Sequence, residues 1–465
     1  MAELSLERSP IPGLLVLRIP VHEDDRGWFK ENWQREKMLA LGLPDFGPVQ
    51  NNVSFNTRRG ATRGIHAEPW DKLVSVATGR VFGAWVDLRD GPSFGTTATA
   101  EIDPGTIVFV PRGVGNAYQA LEDGTAYTYL VNDHWRPGTV YPALDLADPT
   151  AAIPWPIPLS QADVSDKDRA NPRLHEAVRF PPRHPTVLGA GGQVGRAVLA
   201  HWAGSVGLSR GDLDVGDRAA LAAHDWGSTD VLVNAAAWTA VDEAETTQGR
   251  LGAWAANASA PAVLADVARE RGLTLVHFSS DYVYDGTRPL HEEDEPLAPL
   301  GVYGQSKAAG DLAVAAAPRH YVLRTSWVVG DGHNFVRTMA RLADTGVSPA
   351  VVADQVGRLT FTEDLARAAQ HLVDVDAAPG AYHVTGTGDA ASWADLAGEI
   401  FRLRGRDPGD VRHVSTEEYA AGAGRVLAPR PRHSTLDLAK VEGTGFRPSD
   451  QWKSLRAYVA ALPPA

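Results

Sequence analysis

Hydrophobic and polar positions follow two different rhythms along the 465-residue chain. From the start to about residue 150 the apolar runs are short: LLVLRIP, KLVSVATG, VFGAWVDLRD, IVFVPRG and TAYTYLVN, parted by Gly, Pro and Asp turns. Such spacing predicts an all-β domain, a barrel or jelly roll. Residues 142–185 are proline-rich (PALDLADPTAAIPWPIPL, then RFPPRHP), show little periodicity, and read as a tail plus linker. From Thr186 the runs TVLGAG, VLVNAAA, LTLVHFSSDYVY and HYVLRTSWVVG are each followed by an alanine-rich helical stretch such as APAVLADVARERG. Strand and helix in alternation predict a parallel sheet covered by helices. The expected organisation is multidomain: a β domain over 1–178, a linker over 179–185 and an α/β domain over 186–465.

Length supports this division, because one hydrophobic core rarely organises so long a chain. A hydrophobic fraction of 44% and a charged fraction of 22% are ordinary for a globular protein. No apolar run reaches the ~18 residues of a membrane helix, and MAELSLERSP carries charges where a signal peptide has its apolar core. A soluble, cytoplasmic protein with no membrane partner is expected. The absence of cysteine removes disulfides, thiolate nucleophiles and thiolate metal sites, and fits a reducing compartment. A formal charge of −13 would repel a phosphate backbone, which argues against nucleic acid as a partner. A small anionic ligand stays compatible, since a few local arginines can hold it.

In the second half, GAGGQVG sets Gly189, Gly192 and Gly195 between a strand and a helix, with Gln193 and Val194 in the same turn as further candidate cofactor-binding residues. Glycines there let the backbone turn tightly and approach a pyrophosphate at the helix N-terminus; mere packing is the alternative. Tyr303, in VYGQSKAAGD, has Lys307 four residues on, which puts both on one helix face. In a hydride-transfer site the tyrosine hydroxyl can protonate the alkoxide forming from a ketone, while the ammonium lowers the tyrosine pKa and holds the nicotinamide ribose. Ser280, in SSDYVY, ends an apolar strand and could bond the same carbonyl.

Taken together, LGAGGQVG, VLVNAAAWTAVDEAE, HFSSDYVYDGT, PLGVYGQSKAAGD, LRTSWVVG, NFVRTMARLA and VVADQVGRLT stand in the order and spacing of an extended short-chain dehydrogenase of the Rossmann type. They resemble the dTDP-4-dehydrorhamnose reductases, from Thr186 to a late APRPRHSTLD. The resemblance implies Ser280, Tyr303 and Lys307 as catalytic residues, and Thr239, Val241, Asp281, Tyr282 and Trp327 as lining of the substrate pocket; core packing is the other reading of Trp327. Around the cofactor it implies the glycine turn with Arg210, Asp214, Ala235 and Ala236. Where NAD-selective sites carry an acid about 20 residues past the first glycine, this chain has Ser209 and Arg210. Arginine suits a 2′-phosphate, so NADPH is expected, with NADH left open. Some family members bind magnesium through a glutamate soon after the turn; Ala197 stands there, and no metal is expected.

In the first half the informative stretch is ATRGIHAEPWDK, with His66 shortly after Arg63 and before Lys72. No HxH pair is present, so a metal-binding cupin site is not indicated. A base, a cation and a phosphate-binding arginine in a β-barrel suggest proton abstraction beside a carbonyl. DDRGWFKE, VQNNVSFN, TRGIH, VFGAWVDLRD, YTYLVN, DPTAAIPWPI and VSDKD resemble the dTDP-4-dehydrorhamnose 3,5-epimerases, cupin-type jelly rolls, over residues 10–170. By that resemblance His66 removes the protons at C3 and C5 of the sugar, Asp168 orients its imidazole, Tyr129 returns a proton on the opposite face and Lys72 stabilises the enolate oxygen. Arg63 would grip the diphosphate, with Arg26, Glu31, Gln50 and Asn52 around the nucleotide. Two positions depart from the family pattern. Asn116 replaces a usual histidine near the diphosphate, and Gly83 replaces a usual aspartate.

The two halves thus resemble consecutive enzymes: epimerisation of dTDP-4-dehydro-6-deoxy-D-glucose, then reduction at C4 to dTDP-L-rhamnose. The departures leave open a reductase whose barrel inverts one carbon or only binds, serving another deoxysugar; a third reading makes the second half a non-catalytic cofactor-binding subunit, against which Ser280, Tyr303 and Lys307 stand. Barrels of this family tend to dimerise, so a homo-oligomer joined through the barrel is expected.

Overall fold

The computed structural model describes residues 4–44, 46–135, 141–422, 424 and 427–464. The chain divides after Arg183 into two compact units.

In the first unit the short apolar runs form two antiparallel sheets. One has six strands in the order Ser5–Arg8, Leu15–Arg18, Thr106–Val110, Lys72–Thr78, Thr125–Val131, Gln50–Asn56; the other has four, Thr62–His66, Val114–Ala120, Val81–Asp87, Thr97–Ile102. Strand alternation turns Val74, Val76, Val81, Trp85, Val108, Val110, Tyr118 and Tyr127 into one core, the jelly-roll arrangement the pattern predicted.

The proline-rich segment is far more ordered than a tail. Leu144, Leu146, Ala151, Ala162, Val164, Leu174 and Phe180 pack onto Ile65, Ala84, Val86, Leu88 and Ala117 of the four-stranded sheet. Its irregular backbone is satisfied locally: buried Gln119 donates to the Ile157 carbonyl (3.0 Å) and accepts from the Ile157 N–H (2.8 Å). The expected linker 179–185 is taken up from both sides. Phe180 exchanges backbone bonds with Leu88 and Asp90, and His184 already begins the next strand.

In the second unit six parallel strands lie in the order Val206–Leu208, His184–Leu188, Thr229–Asn234, Thr274–Ser280, His320–Thr325, Gly380–His383. The chain moves outward to Val206–Leu208 and then crosses back to Thr229–Asn234. A crevice therefore opens at the carboxyl ends of the first and third strands, the usual ligand site of a doubly wound sheet. Helices cover both faces, with separate cores around Val187, Val233 and Leu323 and around Leu188, Leu232 and Leu264. A third core, around Met339, Leu359, Ile400 and Phe401, builds a C-terminal lobe. No helix is long and apolar enough to cross a membrane among the described residues.

Candidate active sites

In the barrel, the strand Thr62–His66 ends on His66, whose Nε2 lies 2.7 Å from Asp168 Oδ1. Asp168 sits on the short helix Asp166–Arg169, capped by Ser165, whose hydroxyl accepts from the Asp168 N–H. Burial would raise the Asp168 carboxyl, but bonds from His66, the Gly64 N–H and Ser165 outweigh it and hold the carboxyl below its ordinary range. A carboxylate at Nε2 fixes the proton there and leaves the Nδ1 lone pair without a partner among the described residues. A ring nitrogen held in that way can accept a proton.

Tyr129 stands on the strand Thr125–Val131, and the Lys72 ammonium lies 5.7 Å from its ring. Burial, then the charge of Glu68, pushes the Tyr129 hydroxyl up, while Arg63 draws it down. Lys72, Glu68, Tyr129 and Arg63 are thus close enough to feel one another. Arg63 donates to Asn56 (3.4 Å), and Gln50 to Asn52 (2.8 Å).

Two expected nucleotide ligands are not brought here. Arg26 and Glu31 ride on or beside a hairpin, Val21–Asp24 with Gly27–Lys30, that pairs only with itself. Arg26 is 90% exposed and bonded to Asp24, and Glu31 pairs with Lys37 (2.5 Å) beside a separate cavity of about 160 Å³. The two departures are physically linked. A Cβ on Gly83 would come within 2.6 Å of the Trp85 ring, whose indole N–H donates to Asn116 Oδ1 (2.9 Å). Tyr127 donates to the same oxygen (3.1 Å), so Asn116 is oriented by two donors rather than free.

In the second unit the glycine turn precedes the helix Gln193–His201. Gly189 has φ +74°, and a Cβ there would approach the Ala236 nitrogen to 2.6 Å; one on Gly195 would overlap the Gly189 carbonyl oxygen. Over Gly191 the space is open. This cradle, bare of side chains, fits a pyrophosphate. A cavity of about 260 Å³ continues from it along Gly189, Gly192, Arg210, Asp214, Ala235 and Ala236. No described side chain pairs with Arg210, which lines this cavity together with Ser209 and the carboxylate-bearing Asp214.

A larger cavity of about 770 Å³ shares Gly191, Gly192 and Ala235 with the first and runs to the C-terminal lobe. Into it converge Gln193, Val194, Thr239, Val241, Ser280, Asp281, Tyr282, Tyr303 and Trp327. The loop bearing Thr239 is pinned by buried Asn257, which accepts from the Trp238 N–H (2.9 Å). Tyr303 lies at the start of the helix Val302–Val314 and is hydrogen-bonded to Ser280. Burial pushes its hydroxyl up to about 12. Lys307, expected to lower it, is not among the groups that act on it. Instead the Lys307 ammonium donates to the Phe278 carbonyl (2.6 Å) and lies 3.4 Å from His277 Nε2, and burial brings Lys307 itself down to about 8. Burial likewise lifts Asp281 to about 6, against bonds from Ser434 and Ser280. Trp327 lines the cavity and stacks on Trp393 at 3.8 Å.

Sequence reasoning missed several members of these sites. Glu68 faces Lys72, Trp393 backs Trp327, and Arg430 and Ser434 of APRPRHSTLD reach Tyr282 and Asp281. Only that late stretch carried a signal, through its family likeness.

A family model described as dTDP-4-dehydrorhamnose 3,5-epimerase matches residues 8–176, and one described as RmlD substrate binding domain matches 185–462. The "Protein RmlC homolog" of Streptococcus pyogenes serotype M6 is 48% identical over 186 residues, 38% of this chain and 92% of that protein. The "Probable dTDP-4,6-dihydroxy-2-methyloxan-3-one 4-ketoreductase" of Streptomyces antibioticus is 41% identical over 283 residues, 58% of this chain and 91% of that one. Among solved structures, dTDP-4-dehydrorhamnose reductase from Bacillus anthracis strain Ames, in complex with NADP, is 30% identical and covers 60% of this chain and 99% of its own, with a TM-score of 0.55. The chain therefore belongs to two families in succession, the dTDP-4-dehydrorhamnose 3,5-epimerases through its first unit and the RmlD substrate binding domain family of reductases through its second.

Proposed function

We propose that one chain carries out two consecutive steps: C3 and C5 epimerisation of dTDP-4-dehydro-6-deoxy-D-glucose in the barrel, then reduction of the C4 ketone in the second unit, giving dTDP-L-rhamnose. The observation that carries this reading is the pairing of His66 with Asp168, which turns the other ring nitrogen of His66 away from any described partner, in a barrel that also sets Lys72 against Tyr129. His66 Nδ1 takes the proton at C3 or C5, each acidified by the neighbouring ketone. Asp168 stabilises the imidazolium that forms. Tyr129, kept protonated by its burial, returns a proton on the opposite face, and Lys72 offsets the negative charge on the enolate oxygen. Arg63 takes the diphosphate, with Gln50, Asn52 and the Asn116 amide nearby.

In the second unit a reduced nicotinamide supplies the hydride for C4. Ser280 donates to the ketone oxygen, and Tyr303, a protonated acid at neutral pH, delivers its proton to the alkoxide. Lys307 holds the cofactor ribose. Arg210, exposed at the far end of the smaller cavity and unpaired, supports NADPH over NADH. A second copy of the chain docks on the barrel; Val53 and Phe55, 66% and 61% exposed on an edge strand, support that face.

A second reading, inversion at one carbon for another deoxysugar, is favoured by Trp85 occupying the space over Gly83 and by the likeness to the Streptomyces antibioticus ketoreductase. One experiment separates the two. The protein is given dTDP-4-dehydro-6-deoxyglucose and NADPH in deuterium oxide, and the product is read by NMR. Deuterium at C3 and C5 of a C4-reduced L-sugar is expected. Label at one carbon establishes the second reading, and reduction without label removes the epimerase.

A further inference from the structure

The connection between the His66 and Lys72 strands is held at both ends. The Gly113 N–H donates to the Glu68 carbonyl (3.0 Å), and the Asp71 carboxylate accepts from the Arg112 N–H (2.8 Å) and the Asn132 amide (3.0 Å). Between these pins Trp70 is buried edge-on against Tyr141, and the Glu68 side chain forms an ion pair with Lys72. Both groups are shielded, at 5% exposure for Lys72 and 16% for Glu68. A buried ammonium needs an opposite charge to stay protonated. Position 83 cannot supply one, because the Trp85 ring lies where its Cβ would go. Burial keeps Tyr127 and Tyr129 on the next strand protonated, with Tyr118 and Arg63 also near Tyr129, and the nearby Asp71 carboxylate is engaged by the Arg112 N–H and the Asn132 amide. The strand Thr106–Val110, paired with Lys72 on its other side, carries no titratable group.

We propose that Glu68 is the positioning residue of the epimerase site: its carboxylate keeps Lys72 charged and aimed at the enolate oxygen, from a loop rather than from the strand that holds Gly83. This rests on the epimerase reading given above. Glu68 touches no reacting atom; it acts through Lys72. In this chain the charge beside Lys72 comes from the loop, while the Trp85 ring fills the space over Gly83.

The test uses the full chain in wild-type, Glu68→Gln and Glu68→Asp forms, with reductase turnover as the check that each is folded. Deuterium exchange at C3 and C5 is followed from pH 6 to 10. In Glu68→Gln the maximal rate falls at least 30-fold with KM within about threefold, and the alkaline fall of the profile begins earlier by roughly one pH unit, as expected when a buried cation loses its partner. Glu68→Asp, which keeps the charge, recovers most of the rate. In parallel, protein labelled with 13Cε-lysine gives a Lys72 signal, assigned by its loss in Lys72→Met. Its transition with pH comes earlier in Glu68→Gln than in the wild type. An unchanged Lys72 transition overturns the proposal, as does full exchange activity in Glu68→Gln. Wild-type protein that exchanges neither carbon removes the epimerase reading instead, and the Lys72 transition still decides whether Glu68 sets its charge.

Discussion

Replacing Asp168 by asparagine tests the barrel chemistry most directly. The carboxylate lies 2.7 Å from His66 Nε2 and also accepts from the Gly64 N–H, so the substitution removes one charge and little volume. A hydrogen bond to a charged group contributes about 1.5–3 kcal/mol, which on a transition state carrying an imidazolium converts to about a 10- to 150-fold loss of rate. A second effect adds to the first. The asparagine amide can donate to Nε2, which would move the ring proton to Nδ1 and block the nitrogen assigned as the base. The assay is deuterium incorporation at C3 and C5 without NADPH, with reduction of supplied 4-keto-L-sugar as the internal control. A loss of at least 30-fold in exchange, with the reductase unaffected, is expected. Because the native carboxyl is held below its ordinary range, its contribution to stability is present above about pH 4 and is lost as pH falls below that; the comparison at pH 7.5 therefore measures catalysis, not acid unfolding. Exchange within twofold of wild type in Asp168→Asn would refute the assignment of His66 Nδ1 as a carboxylate-supported base.

Three further outcomes follow from the second unit. Lys307, brought down to about 8 by burial, is charged below that pH and neutral above it, so kcat/KM for reduction falls as pH rises through about 8, and Lys307→Arg moves that limb to higher pH while lowering the plateau. Gly195→Ala forces a methyl onto the Gly189 carbonyl and weakens NADPH binding at least tenfold, about 1.4 kcal/mol, measured by nicotinamide fluorescence; unchanged affinity would dissociate the turn from the cofactor. Arg210→Ala lowers the NADPH to NADH preference at least tenfold without changing the rate at saturation, a result read from kcat/KM with each cofactor.

Much of this architecture is visible in the amino-acid order because it rests on period and on glycine. Alternating runs such as KLVSVATG become the strands they predict, and Gly189 and Gly195 stand where no side chain fits. Tyr303, Ser280, Asp281 and Tyr282 sit at a strand end or a helix start, and they meet Thr239 and Val241 of the loop that follows the strand Thr229–Asn234. The proline-rich segment escaped this reading, since its burial depends on single contacts such as Gln119 with Ile157 rather than on any repeat. Arg26 and Glu31 were out of reach for a different reason: a hairpin paired only with itself gives no sequence signal of where it points. Asn116 and Gly83 read as two separate departures, whereas Trp85 joins them. Lys307 was placed on the correct helix face, but its ammonium turns to a backbone carbonyl that no spacing rule reveals.

The contact between His66 and Asp168 spans 102 positions of the chain. During synthesis every strand of the barrel leaves the ribosome before Asp168, so this pair can close only once the wrapping segment has emerged and settled on the sheet. The contact therefore forms late in the translation of the first unit, while the second is still being made. A nascent chain halted within the wrapping segment, before Asp168, would carry the strands and the imidazole yet lack the partner that sets its proton.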